Sequence, residues 1–275
     1  MTGISEMLMD AGAASESIKP ADFDAFAKGV LLFAKALKPR IFVIQDSKLV
    51  ISTNHGTTIS ELDLTNQLAA NTNMAFVNRK EDLIGLREMA PKDRVSLFED
   101  DASYYFTTET NICTLKKYRA SAPKISPPDL SDATQLGEPV TVSNTESMSK
   151  IVKNAQWTAL FAHGEQLNGF VTSNSDYMIF KEKSAIDVFG QPPDLILKSL
   201  SFFQVIGSHA ELSLFSQKEQ FWLKTKTNIG KTKKGGSENT TTETIGPAVT
   251  VYERVKPMTI KQCPRLLRHI SNPNK

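Results

Sequence analysis

Histidine and cysteine are scarce: four and two residues in a chain of 275. The two cysteines, Cys113 and Cys263, stand far apart and in no metal-type spacing. Neither has the His and Asn surroundings of an activated thiol. They read as free thiols in a reducing compartment, so a cytoplasmic location is expected. No apolar run approaches the roughly 20 residues that a membrane span needs. The opening "MTGISEMLMDAGAASES" lacks the basic start and long apolar stretch of a signal peptide, and 1–17 reads as a loose leader. Charge of neither sign dominates: 32 Lys and Arg stand against 30 Asp and Glu. The total does not announce a nucleic-acid partner, so its distribution has to carry that argument.

The motifs of common chemistries are also missing. "GKT" at Gly230–Thr232 suggests a phosphate-binding loop, but the pattern needs a glycine where Thr225 sits, and no helix follows. "HAE" at His209–Glu211 matches the H-x-E of zinc deaminases, yet the P-C-x-x-C pair is absent and Cys263 stands alone. There is no H-E-x-x-H. His55, in "HGTTISELDL", and His163 each lie beside a glycine in a turn, where histidines are usually solvated. The acids are scattered over turns and helix starts. No enzyme activity, metal or cofactor is therefore expected.

What is present is a regular succession of short elements. "PADFDAFAKGVLLFAKALK" sets Phe23, Phe26, Val30, Phe33 and Leu37 on one helical stripe. Pro20 suits its first turn, Asp22 and Asp24 its positive end, and Pro39 its stop. "RIFVI", "LVIST" and "TTISELDL" read as strands joined at "QDSK" and "NHG". "MAFV" is another strand. "RKEDLIGLREMA" is a second helix with Leu83, Leu86 and Ala90 facing inward. "RVSLFED" and "SYYFTTE" form a hairpin, and "NICTLKK" a further strand. The Pro-, Ser- and Asp-rich stretch 118–138 has no sustained period and reads as an extended connector.

The second half repeats this order. "PVTVSN" is a strand, "TESMSKIVKNAQ" a helix capped by Thr145, and "WTALFAHGEQLNGFVTSNSDYMIFKEK" a meander. "PPDLILKSLSFFQVIG" is a helix from its prolines to Gly207, and "AELSLFSQKEQFWLKT" a hairpin. "VSLFEDDASYYFTT" and "LSLFSQKEQFWLKT" align without a gap at an offset of 117 residues. Ser96, Leu97, Phe98 and Thr108 meet Ser213, Leu214, Phe215 and Thr225. The halves thus read as a duplication: a first domain at 18–117, the connector, and a second domain at 139–257. The Gly-, Thr- and Lys-rich segment 226–247 reads as a mobile insertion in the second domain, and 258–275 as a tail.

The basic residues sit on the helices. Lys28, Lys35 and Lys38 share one face of the first, away from its phenylalanines. Arg79, Lys80 and Arg87 lie on the second, Lys150 and Lys153 on the third, and Lys198 alone on the fourth. Any one such face is ordinarily just solvated. Repetition over duplicated helices favours phosphate neutralisation, which needs spaced cations and no base readout. None of the helices carries the polar set of a major-groove reader.

Taken together, "SESIKPADFDAFAKGVLLFAKAL", "KLVISTNHGTTISELDL" and "MAFVNRKEDLIGLREMAPKDRVSLFEDDASYYF" resemble the DNA polymerase sliding clamps. The likeness is greatest to those of tailed bacteriophages and more distant to proliferating cell nuclear antigen. It is good over 17–117, weaker over 138–225 and poor elsewhere. It implies an α+β fold of two similar clamp domains, with sheets outside and helices lining the bore of a ring. A head-to-tail homotrimer would encircle duplex DNA and hold a polymerase on it, after placement by an ATP-driven clamp loader, in the cytoplasm of a bacterial host. Partner peptides would dock beside the connector, where Ile125 and Leu130 lie. The chain departs from the family in not being acidic overall, in its weakly charged fourth helix, and in the loop around Lys231, Lys233 and Lys234.

Three other readings share parts of this pattern. A β-rich oligomeric virion or structural protein would have the duplication without needing basic helices. An enzyme of nucleic-acid metabolism would require clustered acids or metal ligands. A single-strand binder would stack bases on Tyr104-Tyr105 and Phe221-Trp222, which packing within a repeated hairpin explains more simply.

Overall fold

The computed structural model describes residues 16–53, 56–136, 139–143, 158–163, 166–172, 177–179, 195–199, 209–228, 247–259 and 261. The chain divides into two compact units. One comprises Met1–Thr53, Ser60–Ser126 and Gly246–Val249, the other Asn54–Ile59, Pro127–Ile245 and Thr250–Lys275.

In the first unit, β1 (Glu16–Ile18) leads into α1 (Pro20–Leu37). Lys19 caps the helix through its backbone carbonyl, with Pro20 in the first turn and Asp22 beside the exposed N–H groups. At the far end Lys38 turns left-handed (φ 46°) and its N–H reaches Ala34 O at 3.2 Å, so the helix stops before Pro39. Phe23, Phe26, Val30 and Phe33 are buried, as the period predicts; Leu37 is only half-buried. Then come β2 (Ile41–Gln45), β3 (Lys48–Thr53), β4 (Thr58–Asp63) and β5 (Met74–Val77). They are followed by α2 (Lys80–Glu88) and by β6 (Val95–Glu99), β7 (Ser103–Thr107) and β8 (Ile112–Lys116).

One sheet runs β1-β6-β7-β8; in the other, β4-β3-β2-β5 are successive neighbours. Helix α1 reaches both. Phe23 and Phe26 meet Phe106 of β7 with ring centroids 5.3 and 5.2 Å apart. At Gly29 an added Cβ would lie 2.1 Å from Leu62 of β4. The Leu62 methyl thus packs directly on the helix backbone at Gly29, and any larger residue there would have to displace it.

The β2–β3 hairpin turns on Asp46 and Ser47, both left-handed (φ 50° and 61°). This is the two-residue turn that usually selects glycine, built here without one. Ser47 is fully buried and is a junction. Its hydroxyl donates to Ala69 O at 2.6 Å and accepts from Thr72 N–H at 3.2 Å. Its own N–H donates to Thr72 O, and its carbonyl accepts from Leu64 N–H, both at 3.0 Å. The segment from Leu64 to Asn73 is thereby laid against the hairpin.

The inner face of α2 differs from the expected one. Leu86 is buried, but Ala90 is exposed and lies past the helix end, where Met89 is buried instead. The third inward position is Asp82, whose carboxylate accepts the Lys116 N–H at 2.9 Å. A helix of nine residues has only two full turns to bury. Asp82 is drawn in because β8 presents an N–H there.

The second unit contains β9 (Thr134–Gln135), β10 (Val140–Ser143), β11 (Thr158–His163), β12 (Gln166–Thr172), β13 (Tyr177–Ile179), β14 (Leu195–Ser199), β15 (His209–Gln217) and β16 (Gln220–Asn228). Most of β17 (Ala248–Met258) belongs to it as well. Its order repeats that of the first. Phe42↔Phe76 joins β2 to β5, and Leu160↔Leu197 joins β11 to β14. The β2–β3 hairpin closes at Gln45↔Lys48, and the β11–β12 hairpin at His163↔Gln166.

The aligned hairpins agree residue by residue. Ser96↔Thr107, Leu97↔Phe106, Phe98↔Tyr105 and Glu99↔Tyr104 recur as Ser213↔Lys224, Leu214↔Leu223, Phe215↔Trp222 and Ser216↔Phe221. The pairings keep the offset of 117 seen in the sequence alignment.

One predicted helix is corrected by this topology. Leu195–Ser199, expected inside a helix, is strand β14, paired with β11 and β17. It is the counterpart of β5. Its short apolar run suits strand or helix equally on periodicity, and pairing on both sides decides for the strand. The predicted helix at "TESMSKIVKNAQ" and most of the 226–247 loop lie outside the described residues. No helix among the described residues is long and apolar enough to cross a membrane.

Candidate nucleic-acid interface

Helix α1 offers Lys28 and Lys35 to solvent, and the burial of its phenylalanine stripe fixes that orientation. Lys28 is ion-paired with Asp24, one turn earlier, and both side chains are more than half exposed. An exposed pair of this kind is weak and opens readily to a competing anion. Lys35 and Lys38 are exposed at the negative end of the helix, which favours cations there.

On α2, Arg79 is the capping residue, with its Nε 3.6 Å from Glu81 and 4.0 Å from the buried Asp82. Lys80 is exposed. Arg87 is exposed and 3.7 Å from Glu88. The two helices pack against one another.

On each of these helices the acids match or outnumber the cations. Asp22 and Asp24 offset Lys28 and Lys35 in α1; Glu81, Asp82 and Glu88 outnumber Lys80 and Arg87 in α2. The surplus of positive charge comes from the helix ends, at Lys19, Lys38, Arg40 and Arg79, all exposed. The spacing of basic residues along one face shows where cations sit, but not that Lys28, Arg79 and Arg87 are each paired with a nearby acid.

The remaining candidates divide. Lys150 and Lys153 lie outside the described residues. Lys198 is on strand β14, opposite Ala159 and Lys256, so it is not on a fourth helix. On the connector, Ile125 belongs to the first unit and Leu130 to the second, and each is half-buried in its own surroundings. Leu130 sits in a turn that its carbonyl closes by accepting Ala133 N–H at 3.2 Å. The neighbouring Asp129 carboxyl is held below its usual range by the N–H and hydroxyl of Ser131. Gln217 donates to Asp129 O at 3.0 Å, and Leu136 N–H to Leu214 O at 2.8 Å, fastening this end of the connector to β15.

Among the described residues no group of His, Cys, Asp and Glu is placed to hold a metal ion. Cys113 is buried against Gly85, and burial pushes its thiol up to about 12.

This architecture is that of the sliding clamps: an α+β fold, rich in sheet, with one strand order used twice. A PCNA2–PCNA3 complex from Sulfolobus tokodaii matches with a TM-score of 0.52 at 10% identity, over 88% of this chain and 99% of that one. The DNA polymerase III subunit beta from Borrelia burgdorferi matches with a TM-score of 0.50 at 12% identity, over 90% of this chain and 63% of its own. A DNA polymerase sliding clamp from Pseudomonas aeruginosa matches with a TM-score of 0.50 at 11% identity, over 89% of this chain and 66% of its own. No family model matches the chain, and no curated protein does.

Proposed function

We propose that the chain is the subunit of a sliding clamp, a non-catalytic ring that encircles duplex DNA and tethers a replicative polymerase to it. The observation that carries this reading is the clamp fold with one hairpin register kept in both units. The family resemblance supports a more detailed picture. The ring is a head-to-tail homotrimer, placed on DNA by a loader ATPase, and of bacteriophage type working in the bacterial cytoplasm. Strands β8 and β13 each end a strand order among the described residues, and these are the edges that join one copy to the next in this reading.

Duplex DNA is met by Lys28, Lys35 and Lys38, by Arg79, Lys80 and Arg87, and by Lys150 and Lys153. Lys198, on strand β14, lies outside this set. Ile125 and Leu130 mark the partner-binding connector. Because acids on the same helices offset these cations, each phosphate contact is weak and exchangeable. A nearly flat energy profile along the duplex is what sliding requires, and strong base contacts would spoil it.

The test is topological. The protein is assembled on nicked circular duplex, freed of excess by gel filtration, and the circle is then cut once. Retention on the circle and loss after cutting are expected; equal retention on both forms refutes encirclement. Lys28→Glu with Lys35→Glu should lower retention several-fold while native mass stays that of the parent assembly. Unchanged retention removes α1 from the bore.

A further inference from the structure

We infer that residues 119–126 are a docking strip for an acidic, extended peptide of a partner protein. The inference rests on the reading of the connector as partner-binding and adds the chemistry of what binds. Between Thr110 and Pro128 there is no Asp or Glu, while Lys116, Lys117, Arg119 and Lys124 are cationic. The first two are committed inside the unit. Lys117 pairs with Glu99 at 2.7 Å and lies 4.7 Å over the Tyr104 ring. Lys116 is half-buried, its N–H held by Asp82. Tyr118 makes the last tie, its N–H donating to Ala75 O at 2.9 Å.

From Arg119 the chain leaves the sheet. Through Ser126 it has no helix or strand, and 119–124 are exposed throughout. These residues form no backbone–backbone hydrogen bond among the described residues, so their C=O groups, and every N–H but the one that Pro123 lacks, are open to an added strand. Arg119 and Lys124 have no ion pair among the described residues, unlike Lys28, Arg79, Arg87 and Lys117. In an extended chain, at about 3.3 Å per residue, they stand roughly 17 Å apart. An antiparallel partner would meet them with two carboxylates five positions apart. Duplex DNA fits less well, since it carries a charge about every 3.4 Å of each strand and would use a denser array.

Fluorescence anisotropy with the full chain decides this, using labelled peptides alike except at two positions five apart, filled by Glu, Ser or Lys. The Glu peptide should bind about fivefold more tightly than the Ser peptide at low salt, with the Lys peptide weakest. High salt and the double variant Arg119→Ser, Lys124→Ser should each abolish the preference. Equal binding of all three peptides, or a preference that survives in the variant, overturns the inference. Binding of none overturns it together with the partner-binding reading of the connector. Loss of circular-DNA retention in the variant, without any peptide preference in the parent, assigns the strip to DNA and overturns it as well. The encirclement test uses neither residue, so a chain retained on circles but indifferent to peptide charge fails this inference alone.

Discussion

Removing one buried hydroxyl should loosen the first unit by a calculable amount. In Ser47→Ala two hydrogen bonds go, one to Ala69 O and one from Thr72 N–H. Neither partner is stranded. Ala69 O still accepts the Thr72 hydroxyl at 2.7 Å, and Thr72 N–H still reaches Ala69 O at 3.2 Å. The loss is therefore the net worth of two bonds, about 1 kcal/mol each, and not the larger cost of buried orphans. Ser47→Ala should cost about 2 kcal/mol.

Ser47→Gly loses the same bonds but relieves a left-handed residue, worth about 1 kcal/mol, and should sit about that much above the alanine variant. Urea unfolding followed by circular dichroism gives the global figure. Hydrogen exchange of the amides from Leu64 to Thr72 gives the local one, because that segment is what Ser47 holds. An alanine variant within about 0.5 kcal/mol of the parent, or a glycine variant no more stable than alanine, would refute the reasoning.

Two further outcomes follow from buried groups. Asp82→Ala strips Lys116 N–H of its acceptor and should destabilise by about 2–3 kcal/mol, whereas Asp82→Asn keeps an acceptor and should recover a good part of that in the same unfolding assay. Asn doing no better than Ala would mean that the bond contributes nothing. Cys113, its thiol raised by burial from 9.0 to about 12, should resist iodoacetamide at pH 8 until the chain is unfolded. The folded state binds the thiol proton more tightly, so this group's contribution to stability is intact below about pH 9 and falls away as pH rises toward 12. Prompt alkylation of the native protein would contradict its burial.

Much of the first unit was legible because its elements are long for their kind or strictly periodic. The stripe of Phe23, Phe26, Val30 and Phe33 leaves no alternative to a helix, and the hairpins announce themselves by alternation. Other features depend on partners distant in the chain. Asp82 looked like a surface acid because its acceptor role is set by Lys116, 34 residues on. Strand β14 looked helical because Leu195, Ile196 and Leu197 fit both periods, and the strands β11 and β17 that decide it are remote in sequence. Strand β9 was hidden inside the connector, being two polar residues that gain a ladder only against Phe215 and Ser216. At the candidate interface the cations are visible in the sequence, whereas their ion pairs depend on side-chain geometry. The i, i+4 relation of Asp24 and Lys28 was the signal that could have shown one of them.

The shared ladder of the two hairpins limits how such halves can drift apart. Leu97 and Phe106 are buried where Leu214 and Leu223 are buried, though the letters around them have changed. Letters can be exchanged one at a time, each at a bounded cost. A single inserted or deleted residue within a rung would turn every inward side chain toward water at once. Divergence between the copies should therefore be free in spelling and strict in counting, with length changes confined to the loops.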